Sequence, residues 1–209
     1  MTFDGQVHQP LMRFPGMAER TVKIGSAGKI FSVTGWKIGW MCAAAPVARL
    51  LGRAHQFLTF TSPPNLQWAV VEGLAKPESW FADMRAGYQT SRDRLVEGLR
   101  RAGYEVQASA GTWFVTVDLA ASGIALDDVG FCERIIEEAG VAAIPISAFY
   151  PDAAVTHLVR LCFSKSDAVI DEAVARLGRF RLMLGSGATS ACGTARRPLS
   201  SPFVPSGDH

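Results

Sequence analysis

Apolar positions change their spacing several times along the chain, and each change predicts an element. Residues 21–24 open a short strand-like run, Gly25-Ser26-Ala27-Gly28 follows, and residues 36–43 form an apolar stretch long enough for a buried strand. Thr34-Gly35 between them predicts a chain reversal. Helical spacing runs over residues 46–58 and 66–75, interrupted by Ser62-Pro63-Pro64, which cannot continue a helix. Pro77 suits a first helical turn, and Phe81, Met84, Tyr88, Leu95 and Leu99 fall on one face of a long helix ending near Gly103. Its other face carries Arg85, Arg92, Arg94, Arg100 and Arg101, which read as a solvated face and not as a phosphate-binding patch.

Downstream the period changes to two. Trp113, Val115, Val117 and Leu119 alternate with Phe114, Thr116 and Asp118, which predicts a strand over residues 112–119. Val129, Cys132, Ile135, Ile136 and Ala139 restore helical spacing, with Asp127 or Asp128 as cap and Gly140 just past the end. A further strand is predicted over 158–163, and Ser166 caps a helix whose Val169, Ile170, Ala173, Val174 and Leu177 share a face. Alternation over residues 77–181 predicts a small α/β or α+β unit. Residues 1–20, punctuated by Pro10, Pro15 and Gly16, read as a loop arriving from elsewhere. After Arg181 the composition turns to Gly, Ser, Thr and Pro without period, so residues 182–209 are expected to be a disordered, atypical tail, of the kind that out-of-frame read-through would produce.

Composition narrows the class. With 209 residues, 48% hydrophobic and 19% charged, the chain reads as globular, and every apolar run is broken well before the roughly 18 residues of a membrane span. A net charge of +2 argues for neither a nucleic-acid nor a membrane partner. The four cysteines form no CxxC pair and read as reduced, mostly buried thiols, and the four histidines lack metal-ligand spacing, so no metal is expected. No basic region followed by an apolar one opens the chain, so a cytoplasmic location is expected.

The candidate chemistry lies in residues 25–40, GSAGKIFSVTGWKIGW. Fully extended, Lys29 and Lys37 would stand about 26 Å apart, so only a reversal near Gly35 brings both to one ligand. Gly25, Ala27 and Gly28 leave room for a flat ligand, and the Ser26 hydroxyl offers a donor to an anion. A nucleotide phosphate loop fits poorly, because only Ser26 and Ala27 separate the first glycine from Gly28-Lys29, and Ile30 stands where magnesium needs a hydroxyl. Each lysine alone reads as an exposed charge beside a turn; together with the serine and glycines they read as a site. Arg160, on a predicted strand with Leu158 and Cys162, reads equally as an edge-strand charge or as a ligand.

The segment SAGKIFSVTGWKIGW resembles the pyridoxal-phosphate-dependent aminotransferases of fold type I, class I/II, in the branch of kynurenine, glutamine and methionine aminotransferases. The resemblance extends to His55-Gln56, Gly111-Thr112-Trp113-Phe114, residues 144–150 (IPISAFY) and residues 159–163 (VRLCF). It implies an α/β fold, the C-terminal portion of the family fold: residues 1–76 as the end of the large cofactor-binding domain and residues 77–181 as the small domain. It implies that Lys29 forms the Schiff base with pyridoxal 5'-phosphate and shuttles the proton, and that Ser26 and Lys37 hold the phosphate. Many relatives have arginine where Lys37 stands. Arg160 would bind the substrate α-carboxylate through a bidentate pair, and Phe60 would reach the neighbouring subunit's substrate pocket, although a lone Phe is more often core.

Transamination between an L-amino acid and a 2-oxo acid follows, in a family of homodimers. The family's upstream half, which supplies an aspartate to the pyridine nitrogen, has no matching positions here, so little activity is expected from this chain alone. The competing expectation is a non-catalytic remnant or interaction module of an aminotransferase.

Overall fold

The period-two pattern around Val115 and Val117 becomes the centre of an antiparallel sheet. The computed structural model describes residues 1–107, 109–152 and 154–186. Its larger sheet contains β3 (Glu105–Gln107), β4 (Phe114–Asp118), β5 (Ile144–Pro145) and β6 (Leu158–Cys162), in the order β3-β4-β6-β5. β4 and β6 pair with Thr116 opposite Arg160 and Phe114 opposite Cys162. Alternation sorts the side chains: Val115, Val117, Val159 and Leu161 are buried, while Phe114, Thr116 and Arg160 lie on the half-exposed face. β3 and β5 escape sequence patterning because three and two residues are too short to show a period.

Three helices close the buried face. The long helix predicted from Pro77 spans Glu78–Arg101, and Leu95 and Leu99 enter the core together with Ile170, Leu177 and Phe180 of the C-terminal helix. That C-terminal helix spans Asp167–Ser186, so the tail boundary expected at Arg181 moves five residues on; Leu184 still packs against the core, and residues 187–209 lie outside the described residues. Between the two, a helix over Asp128–Arg134 widens into a π turn at Ile135–Ala139 and ends on Gly140 at φ 64°. Asp127 supplies the cap, accepting from the Gly130 N–H at 2.7 Å. The wider turn rotates the predicted face: Phe131, Cys132 and Ile135 are buried, whereas Val129 and Ile136 are exposed, as is Val169 at the start of the C-terminal helix.

Residues 21–76 make a second, thinner assembly. β1 (Lys23–Ser26) and β2 (Gly39–Cys42) pair antiparallel, joined through a one-turn helix, α1 (Ala27–Ile30), and a tight turn at Thr34–Trp36. α2 (Ala45–Leu58) and α3 (Pro64–Leu74) follow. The prolines do separate these two helices, but Pro64 is itself the first residue of α3, where its missing N–H costs nothing. In keeping with that order we label the later helices α4 (Glu78–Arg101), α5 (Asp128–Arg134) and α6 (Asp167–Ser186). Only Ala27, Gly28, Ile38 and Val70 are buried in this part, with Phe31, Trp40 and Leu66 packed on the apolar three. α2 buries no residue, and Phe57 is 90% exposed and Trp68 69%.

Two expectations fail at the start of the chain. Residues 2–6 are not a free loop: Phe3 is in the core of the larger assembly, and Thr2 bridges to Gly111. The first residues thus pack on the unit expected to begin at 77. Arg92, expected on a solvated face, is only 7% exposed, because Asp4 reaches α4 and takes its guanidinium. The other arginines of that face do lie at the surface, Arg94 on Asp171 and Asp167, and Arg85 on Glu78.

Candidate active site

Chain reversal between β1 and β2 builds the site. Ser26 pairs with Gly39, and the Ala27 N–H donates to the Ile38 carbonyl at 3.0 Å, so the segment leaves and returns at one place. Lys29 and Lys37 consequently line the same open cavity of about 340 Å³, with Ser26, Gly28, Thr34, Ile38 and Gly39. The reversal places Lys37 at φ 56° and Ser32 at φ 56°, left-handed conformations that cost a side-chain-bearing residue about 1–3 kcal/mol each. Strain of that size persists where surrounding contacts enforce it.

Glycine is required here by contact. A Cβ on Gly39 would stand 2.6 Å from the Gly25 carbonyl oxygen, and one on Gly28 would stand 3.0 Å from the Thr34 Cα. Gly28 and Gly39, which line the cavity, present only backbone to it. No carboxylate lines it. Among the described residues neither lysine has an ion-pair partner, so two lysines and two hydroxyl residues, Ser26 and Thr34, line one space with no acidic group to compensate them. That donor set suits an anion beside an electrophile that accepts an amine.

The Lys29 Nζ lies 5.5 Å from the centre of the Trp113 ring, which joins the hairpin to the larger sheet. Trp113 meets Phe114 edge to face at 6.2 Å, and Phe114 lies 4.6 Å below the Arg160 guanidinium, whose other neighbour is the Phe149 ring at 5.2 Å. Arg160 is not on an edge strand: β6 has β4 on one side and β5 on the other. Held between two rings with no carboxylate partner among the described residues, its fork remains available to an external carboxylate.

Phe60 is not brought to this cavity. It sits just past α2 at φ 66° and is 76% exposed, so it is not a core residue either. Cysteine burial is also corrected: Cys132 is buried, but Cys42 and Cys162 are exposed, and Cys192 lies outside the described residues. No group of His, Cys, Asp or Glu among the described residues could hold a metal, and no described helix is long and apolar enough to cross a membrane.

Sequence reasoning missed the partners of the charged groups. Trp113 reads as the core side of a strand, and nothing in its spacing announces a lysine above it. Asp128, one of two candidate caps, is fully buried and instead accepts the Ser147 N–H at 2.7 Å, fixing the turn Ile146–Phe149 that delivers Phe149 to Arg160.

Residues 6–177 match the family described as aminotransferase class I and II. This chain belongs to that family. The chain has many similar relatives. A probable N-succinyldiaminopimelate aminotransferase of Mycobacterium tuberculosis is 41% identical over 186 residues, covering 85% of this chain and 47% of the relative. The methionine aminotransferase of Escherichia coli is 38% identical over 178 residues, covering 85% and 46%. Among solved structures, the N-succinyldiaminopimelate aminotransferase from Mycobacterium tuberculosis matches with a TM-score of 0.80 at 42% identity, over 86% of this chain and 47% of that one. The chain spans about half the length of the curated relatives it matches, so its architecture is a partial one.

Proposed function

We propose that this chain supplies the cofactor lysine, the phosphate ligands and the substrate arginine of a pyridoxal-phosphate-dependent aminotransferase that moves an amino group from an L-amino acid to a 2-oxo acid. The observation that carries this reading is the meeting of Lys29, Lys37 and Ser26 on one carboxylate-free cavity. Lys29 would hold the cofactor through its amine and would move the proton at the substrate α-carbon. Lys37 and the Ser26 hydroxyl donate to the phosphate. When bound, pyridoxal phosphate supplies the electron sink that makes the substrate α-proton removable.

Arg160 orients the substrate by taking its α-carboxylate in the plane between Phe114 and Phe149, two bonds at once. The names of the relatives share only an α-amino acid as substrate, so the side chain accepted is left open. Full turnover requires the part of the fold that this chain does not span, and the complete enzyme is proposed to be a homodimer with Phe60 facing the neighbouring subunit's pocket.

The test uses the 209-residue chain with pyridoxal phosphate, trapping by borohydride and peptide mapping by mass spectrometry. Label concentrated on Lys29, and lost in K29Q, is expected. Label scattered over surface lysines, or none, overturns the assignment and favours a non-catalytic interaction module.

A further inference from the structure

The first six residues form a clasp on the larger assembly, and its members all converge on one loop. Asp4 and Gly5, at φ 57° and 68°, occupy the centre of a tight turn closed by the Gln6 N–H on the Phe3 carbonyl at 2.9 Å. This turn aims the Asp4 carboxylate at α4, where Arg92 donates to both its oxygens at 2.6 Å. The same guanidinium lies 5.0 Å from the Phe3 ring and donates to the Ser109 carbonyl at 2.7 Å. Next, the Phe3 N–H donates to the Ala110 carbonyl at 2.9 Å, and Thr2 bridges to Gly111. A Cβ on Gly111 would stand 2.5 Å from the Met1 carbonyl oxygen, so the two backbones touch.

Three successive residues, Ser109, Ala110 and Gly111, are therefore tied to the clasp. The chain then passes through Thr112 at φ 66°, a left-handed conformation, and delivers Trp113 to Lys29. With the loop pinned on one side and β4 beginning on the other, the Trp113 ring has little freedom of its own; the Trp113 carbonyl is also bound, by the Phe163 N–H at 3.0 Å.

We infer that Asp4 and Arg92 are positioning residues for the lysine: through the loop at residues 109–112 they hold Trp113 where its ring face sets the place of the Lys29 amine. The inference deepens the assignment of Lys29 as the cofactor lysine and rests on it. Neither Asp4 nor Arg92 lines the cavity, and the contacts described lead from them to Lys29 by way of Trp113.

An NMR signature tests this without turnover. In the full chain carrying isotope-labelled lysine, assigned with K29R, the ring current of Trp113 should shift the Lys29 side-chain protons upfield of the other lysines. W113L should abolish that shift, W113F should keep most of it, and R92M and D4N should each reduce it by half or more, with R92K intermediate. D4N removes the charge of the clasp but leaves the buried Arg92 on the Ser109 carbonyl, so it keeps the test valid if R92M does not fold. A merely structural clasp would lower thermal stability in R92M and D4N while leaving the Lys29 resonance in place, and that result overturns the inference. Absence of an upfield shift in the unmodified chain also overturns it. Borohydride labelling of the same sample separates the two assignments: scattered label with the expected shifts sinks the cofactor reading, and with it the functional inference, whereas label on Lys29 with unmoved shifts sinks the inference alone.

Discussion

The Arg92 guanidinium holds the Asp4 carboxylate through two hydrogen bonds of 2.6 Å, joining residues 88 positions apart in sequence. One partner is buried and the other half-exposed. Removing the buried one strands the Ser109 carbonyl and uncovers Phe3, so R92M is expected to cost about 2 kcal/mol in urea unfolding, and D4N less.

Acid dependence follows from the same pair. Hydrogen bonding from Arg92 holds the Asp4 carboxyl below its ordinary value of 3.8. A depressed folded value gives stability that is present above that ordinary value and is lost as pH falls through the lower one. Asp171, Glu138 and Glu172 are lowered in the same way by Arg94, Arg134 and Arg176. Unfolding measured from pH 5 downward should therefore show a steep acid limb that D4N makes shallower without flattening it.

An alkaline limb is expected from Tyr104. Its hydroxyl donates to the Leu177 carbonyl at 3.0 Å, and burial pushes its pKa up to about 12 from an ordinary 10.0. Between those values the unfolded chain releases the proton and the folded chain keeps it, so stability falls as pH rises through that window. Y104F should lose about 1 kcal/mol at neutral pH from the missing hydrogen bond and show a smaller decline above pH 10 in parallel denaturation curves.

Where α4 crosses α6, only a glycine fits. A Cβ on Gly98 would stand 2.8 Å from one Val174 methyl and 2.9 Å from the other. G98A is expected to destabilise by about 1–3 kcal/mol through overpacking, and V174A in the same chain should recover part of that loss, measured as a double-mutant cycle.

At the cavity, G39A is expected to separate β1 from β2, since the new methyl would meet the Gly25 carbonyl oxygen, which as backbone cannot yield. Borohydride trapping with pyridoxal phosphate should then lose its preference for Lys29, although Lys29, Lys37 and Ser26 are all still present.

Thiol reactivity separates the described cysteines. Cys42 and Cys162 are exposed and should alkylate in the native chain at neutral pH. Cys132 is buried, and burial, with the Asp128 and Glu133 charges, pushes its thiol up to about 11. It should resist until denaturant is added. Peptide mapping before and after unfolding reads the difference.

Local pattern was enough for what depends on local spacing. The alternation around Val115, the apolar stripe of α4 and the Thr34-Gly35 reversal each follow from side-chain direction within a few residues, and so does the meeting of Lys29 with Lys37. The aminotransferase signature sits in that same short segment, which is why chemistry and family could be read together. What needed the tertiary structure was every partnership across distant parts of the chain. Arg92 shares the spacing of its solvated neighbours and differs from them only because Asp4 folds onto it; Arg160 is an interior and not an edge residue only because β5 adds beside β6; Trp113 meets Lys29 across 84 positions of sequence. Side-chain periodicity records which face an element buries, but not which other element arrives there, because that choice is made by the packing of the whole chain.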